Sequence, residues 1–251
     1  MENRRFISAD SILSANSLGN VCVLDIETAP DPFAIALAGS KEKSKDTTAL
    51  LHHITDASVL CAHENPDGTW TDFELKSFTA KGQSETDVLH GIDRYLTRLT
   101  TNAGTLVSYN GIKHDMQVVR RRAANHLMFE MPGIFPSVEL RHLDLMRVIP
   151  TGTQQRWGKL RDVAAGLGIP VSYQTLSRGM GVATPGIRKS QVDVVATFLV
   201  MLYELATWRR DVGPVVLGWG ALGKYISEMG PHGDHLAQYR RHPLGGGIGR
   251  G

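Results

Sequence analysis

Asp25 and Glu27 are the first residues whose types and spacing could do chemistry. They flank Ile26 at the end of an apolar run, Val21 to Ile26, that is cut off by Thr28-Ala29-Pro30-Asp31-Pro32. A run this short, rich in β-branched residues and sharply punctuated, reads as a buried central strand. Side chains alternate faces along a strand, so both carboxylates point one way and Ile26 points the other. Two carboxylates on one side of a buried strand repel each other and lose hydration, and a divalent cation relieves both costs. Taken alone, an Asp-x-Glu at a strand end is more often a strand turning polar as it reaches water.

Two further carboxylates follow. Tyr109-Asn110-Gly111-Ile112-Lys113-His114-Asp115 reads as a strand end, an Asn-Gly turn and a helix that opens at Asp115. An aspartate there can simply favour a helix N-terminus. Asp193 lies in the longest periodic segment, 190–209, where Val192, Ala196, Leu199, Val200 and Tyr203 line one face. Each signal is weak by itself; it is their order along the chain that carries weight.

The elements that must position these groups are legible in outline. Residues 57–63 and 70–78 read as strands joined by the turn Asn65-Pro66-Asp67-Gly68, a hairpin beside the first strand. Val88, Leu89, Ile92, Leu96 and Leu99 recur at helical spacing after Ser84, a candidate N-cap. A strand over 105–109, a helix over 115–124, a small strand at 143–145, a short helix over 159–167 and the long helix complete the order β–β–β–α–β–α–β–α–α. That order predicts an α/β fold, a mixed sheet with helices on both faces. Residues 39–48 read as an exposed loop, and 171–187 as a connector that could shape a substrate channel. Three regions are expected: a loosely packed arm over 1–19, a domain over 20–230, and a flexible glycine-rich tail over 231–251.

Composition excludes little. Hydrophobic residues make up 42% and charged residues 21% of 251, with a net charge of +2, which permits nucleic-acid binding without arguing for it. No unbroken apolar run suggests a membrane span or a signal peptide, so a cytoplasmic protein is expected. Cys22 and Cys61 read as free, buried thiols. His52, His53, Cys61 and His63 lack the spacing of a zinc site.

Read together, the three segments resemble the exonuclease motifs of the DEDD superfamily. The resemblance is strongest to stand-alone predicted 3′→5′ exonucleases related to the proofreading domain of family B DNA polymerases. Val23-Leu24-Asp25-Ile26-Glu27-Thr28-Ala29-Pro30-Asp31 looks like that family's opening motif, and Leu106 through Asp115 like its second. His142-Leu143-Asp144-Leu145-Met146, Lys159-Leu160-Arg161-Asp162-Val163-Ala164 with Gly168-Ile169-Pro170, and Asp193-Val194-Val195-Ala196-Thr197 match further stretches in order, so that the likeness spans roughly residues 21–208. The resemblance implies an RNase H-like fold and release of nucleotides from the 3′ end of single-stranded DNA or RNA, with DNA slightly favoured. It implies two divalent cations, Mg²⁺ or Mn²⁺, held by Asp25, Glu27, Asp115 and Asp193. In that scheme Asp25 bridges both, Glu27 and Asp193 share the water-activating site, and Asp115 anchors the other through water. Oxygen ligands suit these hard cations, and a pair of them meets the needs of phosphodiester hydrolysis.

The sequence departs from the family in two places. Where the family has a tyrosine or histidine four residues before the last aspartate, this chain has Lys189. Residues four apart share a helix face. Lys189 is therefore a base, a cation for phosphate, or the mark of a weakened site, and the residues leave all three open. His114 stands where the family has an aromatic, and is either a packed histidine or a substrate contact. Thr28, Asn110, His114 and Arg178 are the candidate substrate contacts, and Arg120-Arg121-Arg122 reads as a solvated helix face or a phosphate site. The competing function is a catalytically weak nucleic-acid-binding module that keeps the fold. Protein partners are not readable.

Overall fold

The computed structural model describes residues 9–39, 49–148, 158–172 and 185–242. Among the described residues five strands form one sheet: β1 (Gly19–Pro30), β2 (His52–Glu64), β3 (Trp70–Thr79), β4 (Thr105–Ser108) and β5 (Arg141–Asp144). Their spatial order is β3-β2-β1-β4-β5. β2 pairs antiparallel with β1 and β3, whereas β4 pairs parallel with β1 and β5. β1 is the central strand. The helices are α1 (Ala9–Leu13), α2 (Pro32–Leu37), α3 (Glu85–Thr101), α4 (Asp115–Asn125), α5 (Leu145–Val148), α6 (Leu160–Gly166), α7 (Pro185–Arg209) and α8 (Gly213–Glu228), followed by a 3-10 segment, Gly230–Tyr239.

The sheet separates two cores. Val21 and Val23 of β1 pack with α1, α6, α7 and α8, while Cys22, Leu24 and Ile26 pack with α3 and α4. This is the strand alternation read from the sequence, with helices covering both faces of a mixed sheet. Asp25 and Glu27 share the parity of Val21 and Val23 and so belong to the α7 face. α3 begins where expected, at a reciprocal capping box: Asp87 N–H donates to Ser84 Oγ at 3.2 Å, and Ser84 N–H donates to Asp87 Oδ2 at 2.9 Å.

Several elements outrun the sequence pattern. β1 continues to Pro30 because β2 begins at His52 and pairs with it throughout, across an irregularity at Glu27/Thr28. Bulges of this kind re-aim side chains beside functional sites. α7 starts at Pro185, so residues 185–187 of the expected connector are helical; proline's fixed φ suits a first helical turn. α8 has no counterpart in the expected order. Gly213, Gly218, Gly220 and Gly223 lower its helical signal, yet at Gly218 the helix packs so closely on α7 that a Cβ would lie 2.7 Å from Leu202 Cδ1 and force that side chain to shift. α7 is long and apolar enough to cross a membrane, but 72% of its apolar stretch is buried inside the protein, as in a core helix.

Packing also extends past both expected domain bounds. Ile12 and Leu13 of the arm are fully buried. Leu18 N–H donates to buried Glu64 Oε2 at 2.7 Å, and Arg209 pairs with the same carboxylate. At the other end Leu236 and Tyr239 are fully buried, and Trp219 Nε1–H donates to Tyr239 O at 2.9 Å. We propose that the folded unit includes 9–19 and 231–242 with 20–230. Residues 40–48 of the expected loop, 173–184 of the connector and the tail from 243 on lie outside the described residues.

Candidate active site

Three elements converge where β1 leaves the core. β1 delivers Asp25 and Glu27, α7 delivers Lys189 and Asp193, and the β4–α4 turn delivers Asp115. Asp25, Glu27 and Asp193 each offer an oxygen within 4.8 Å of the other two. Asp25 Oδ2 is buried without a hydrogen-bond partner. Burial, followed by the charges of Asp193, Asp115 and Glu27, pushes the Asp25 carboxyl well above the usual range, against the opposing pull of Lys189. Burial also raises Glu27, and hydrogen bonding to Lys189 offsets part of that rise.

Asp115 is set back from this triad. It is buried, and burial raises its carboxyl while a 2.8 Å contact between His114 Nδ1 and Asp115 Oδ1 works the other way. Its charge reaches Asp25, but its oxygens are not among the close set. His114 is thereby placed as the partner of Asp115, and that hydrogen bond raises its imidazole.

The turn that carries Asp115 is braced from beneath. Asn110 adopts φ +71°, a left-handed conformation that asparagine tolerates. A Cβ at Gly111 would collide with Ser108 Oγ and stand 3.3 Å from Asp115 Oδ2, so this position requires glycine. Asp144, at the end of β5, accepts from the backbone N–H groups of Asn110 (2.7 Å), Ile112 (3.1 Å) and Met146 (3.2 Å). Ser108 Oγ bonds His142 Nε2 at 2.7 Å, and burial with Arg120 and Arg147 pushes that imidazole down to about 3, so it is neutral. Ser108, His142 and Asp144 were not singled out as functional from the sequence, because what they hold is brought to them by the sheet.

Lys189 is one turn before Asp193 and its ammonium bonds both Glu27 and, at 3.1 Å, Asp193 Oδ2. Burial alone would lower this lysine, but Asp193, Glu27 and Asp25 together outweigh it and raise it above the ordinary range. The surroundings therefore hold the charged form. An open cleft of about 280 Å³ adjoins the acids, lined by Asp25, Tyr109, Lys159, Leu160, Arg161 and Asp193. Lys159 and Arg161 give it two cationic groups, and Tyr109 is anchored by its hydroxyl to Gly158 O. Of the candidate substrate contacts, Thr28 Oγ1 bonds His52 Nδ1 at 3.0 Å, Asn110 shapes the turn, and Arg178 lies outside the described residues. Arg122 is an ion-pair residue, bonded to Asp31 and Glu85.

The family model of the RNase_H superfamily matches residues 46–183, more than half of the chain, and the chain belongs to that superfamily. The matched span holds Asp115 and leaves Asp25, Glu27 and Asp193 outside it. A search of curated proteins finds no match. Similar solved structures include the family B DNA polymerase of the hyperthermophilic archaeon Pyrobaculum calidifontis, at 15% identity and TM-score 0.46, covering 85% of this chain and 29% of that one. E. coli exonuclease I in complex with a dT13 oligonucleotide matches at 13% identity and TM-score 0.46, covering 83% of this chain and 43% of that one. The zinc-bound complex of the same E. coli enzyme with single-stranded DNA matches at 14% identity and TM-score 0.42, covering 84% and 43%. This chain thus spans less than half the length of each of these three.

Proposed function

We propose that the protein is a metal-dependent 3′→5′ exonuclease of the DEDD type that removes nucleotides from single-stranded nucleic acid, with DNA slightly favoured over RNA. The observation that carries the reading is Asp25 Oδ2: a buried acceptor without a partner, in a carboxylate raised by burial and by its acidic neighbours. A buried carboxylate is ordinarily hydrogen-bonded or paired, and oxygen-only donors this close suit a hard divalent cation. Asp25, Glu27 and Asp193 would hold such ions, Mg²⁺ or Mn²⁺, with Asp115 contributing from behind. Two bound cations would supply an acidified water and stabilise charge on the leaving oxygen.

The chain's own groups do the rest. Lys159 and Arg161 line the cleft and meet phosphate as cations. Tyr109 supplies an aromatic wall on which a base can stack. Lys189, held as an ammonium, orders Glu27 and Asp193 and contacts a phosphate oxygen or the attacking water; this favours the cationic reading over the base reading. Thr28, Asn110, His114 and Arg178 remain the proposed substrate contacts. A cytoplasmic location is part of the proposal.

The second reading, a weak nucleic-acid-binding module, draws on Lys189 standing where the resembling family has tyrosine or histidine. Incubation of the protein with 5′-labelled single-stranded DNA and RNA, in Mg²⁺, Mn²⁺ or EDTA, separates the two. A ladder shortening from the 3′ end only with metal supports the exonuclease. Binding without shortening in either metal supports the module.

A further inference from the structure

Cys22 and Cys61 are the chain's two cysteines, and the candidate active site uses neither. The fold places them together. They are register partners across the antiparallel β1–β2 ladder. Directly opposed residues project to one face with Cα atoms about 4.5–5.5 Å apart, inside the range of about 4.4–6.8 Å that a disulfide spans. Both are free thiols. Their sequence separation hides this, since residues 39 apart in the chain meet only through the sheet.

Their surroundings differ. Cys22 is fully buried, whereas Cys61 is 7% exposed, and both line a cavity of about 330 Å³ shared with His63, Glu74, Tyr95 and Arg98. The Arg98 guanidinium bonds Glu74 at 2.9 Å, lies 4.8 Å from the Tyr95 ring centroid, and lines the same cavity as Cys61. The adjacent Cys22 thiol first, and the Arg98 guanidinium after it, draw Cys61 below the ordinary thiol range against its burial, while the Cys61 sulfur and burial push Cys22 up. Thiols beside a cation ionise and react first, and a neighbouring thiol then resolves the product.

We propose that Cys22 and Cys61 form a peroxide-responsive thiol pair, with Cys61 as the attacking sulfur and Cys22 as the resolving one, closing a disulfide across β1 and β2. The oxidant is a small peroxide that enters the cavity. The Cys61 thiolate attacks one peroxide oxygen; the S–O bond forms, the O–O bond breaks, and the departing oxygen leaves as water with the proton Cys61 gave up. Cys22 then attacks the Cys61 sulfenic acid; the S–S bond forms, the S–O bond breaks, and the oxygen leaves as a second water with the Cys22 proton. Two thiols lose two electrons, and one hydrogen peroxide becomes two waters. The cross-link falls on β1 three residues before Asp25. The inference is independent of the nuclease reading.

Exposure of the folded protein to hydrogen peroxide tests it. Intact mass should fall by two hydrogens, both thiols should disappear from a thiol titration, and digestion should give a Cys22–Cys61 cross-linked peptide that dithiothreitol reverses. Cys22→Ser should instead accumulate a sulfenic acid on Cys61 that dimedone traps, and Cys61→Ser should give no adduct on Cys22. Arg98→Met should slow oxidation of Cys61 several-fold, because the cation that favours its thiolate is removed. Circular dichroism before and after treatment confirms that the fold persists. Retention of both thiols in the folded protein, or cross-links between rather than within chains, overturns the proposal. Equal trapping on Cys22 and Cys61 in the two serine variants overturns the assignment of roles. If a serine variant does not fold, the cross-linked peptide from the native chain decides alone.

Discussion

Asp144 closes β5 and Asp25, whose Oδ2 is buried, lies midway along β1, and the two carboxylates have opposite surroundings. Asp144 accepts three backbone N–H groups and holds the turn that presents Asp115. Asp25 has an oxygen without a partner and faces Glu27, Asp193 and Asp115. A buried carboxylate surrounded by donors is a brace, because its charge is satisfied within the fold. One that faces several carboxylates, with Lys189 the cation that opposes them, costs stability until further positive charge arrives, which is the signature of a binding group. Sequence spacing does not distinguish the two; their neighbours do.

Asp25→Asn tests the comparison hardest. Hydrolysis should fall by about three orders of magnitude or more, as when a residue that acts as part of a catalytic unit is removed. A variant with near wild-type turnover at saturating metal would sink the assignment. The same substitution should leave the metal-free fold as stable as wild type or more so. The sign follows from the raised Asp25 carboxyl. Its contribution to stability is fully present below the unfolded-state carboxylate range, where it is protonated, and is lost as pH rises through the folded-state value. In EDTA, therefore, the wild type should lose thermal stability between acid and neutral pH, and Asp25→Asn should lose less. Parallel melting curves across pH for the two proteins would break the contrast with Asp144.

Lys189→Ala should lower turnover about a hundredfold to a thousandfold, the scale of removing one preorganised donor, with a smaller change in nucleic-acid binding. A pH–rate profile at saturating Mn²⁺ for wild type, Lys189→Ala and Lys189→Tyr sharpens the point. An ammonium predicts no basic limb attributable to Lys189 near neutrality, whereas a limb that vanishes in the alanine variant restores the base reading. Equal rates in all three would make Lys189 a bystander.

Asp144→Asn should cost about 1–3 kcal/mol in urea unfolding, because an amide cannot accept from all three N–H donors and leaves at least one unsatisfied. Its activity should fall only as far as the 109–115 turn moves. Loss of activity comparable to Asp25→Asn, without loss of stability, would make Asp144 a binding group after all. Last, Mn²⁺ at about 100-fold over its dissociation constant should stabilise the wild type by about 2.7 kcal/mol, a shift of a few degrees in melting temperature that Asp25→Asn should lack. Equal shifts in both proteins would place the ion elsewhere.

Much of this site was legible in the residues. The alternation through Val21-Cys22-Val23-Leu24-Asp25-Ile26-Glu27 aimed both acids at one face, Ser84 marked the start of α3, and Asn110-Gly111 marked the turn, since each depends on neighbours a few positions away. Other features were not. α8 is masked by its glycines, of which Gly218 packs against Leu202 of α7 and Gly223 against the Arg240 backbone. The arm and the region after 230 are polar enough to read as loose, yet Ile12, Leu13, Leu236 and Tyr239 fill the core. The close triad of Asp25, Glu27 and Asp193, the setback of Asp115, the grip of Lys189 on Glu27 and Asp193, and the pairing of Cys22 with Cys61 were all decided by tertiary structure. Local sequence sets which way a side chain points along its own strand or helix, by a period of two or of 3.6. Which groups it then faces depends on register between strands and on where α7 lies across the sheet, and those come from the packing of residues far apart in the chain.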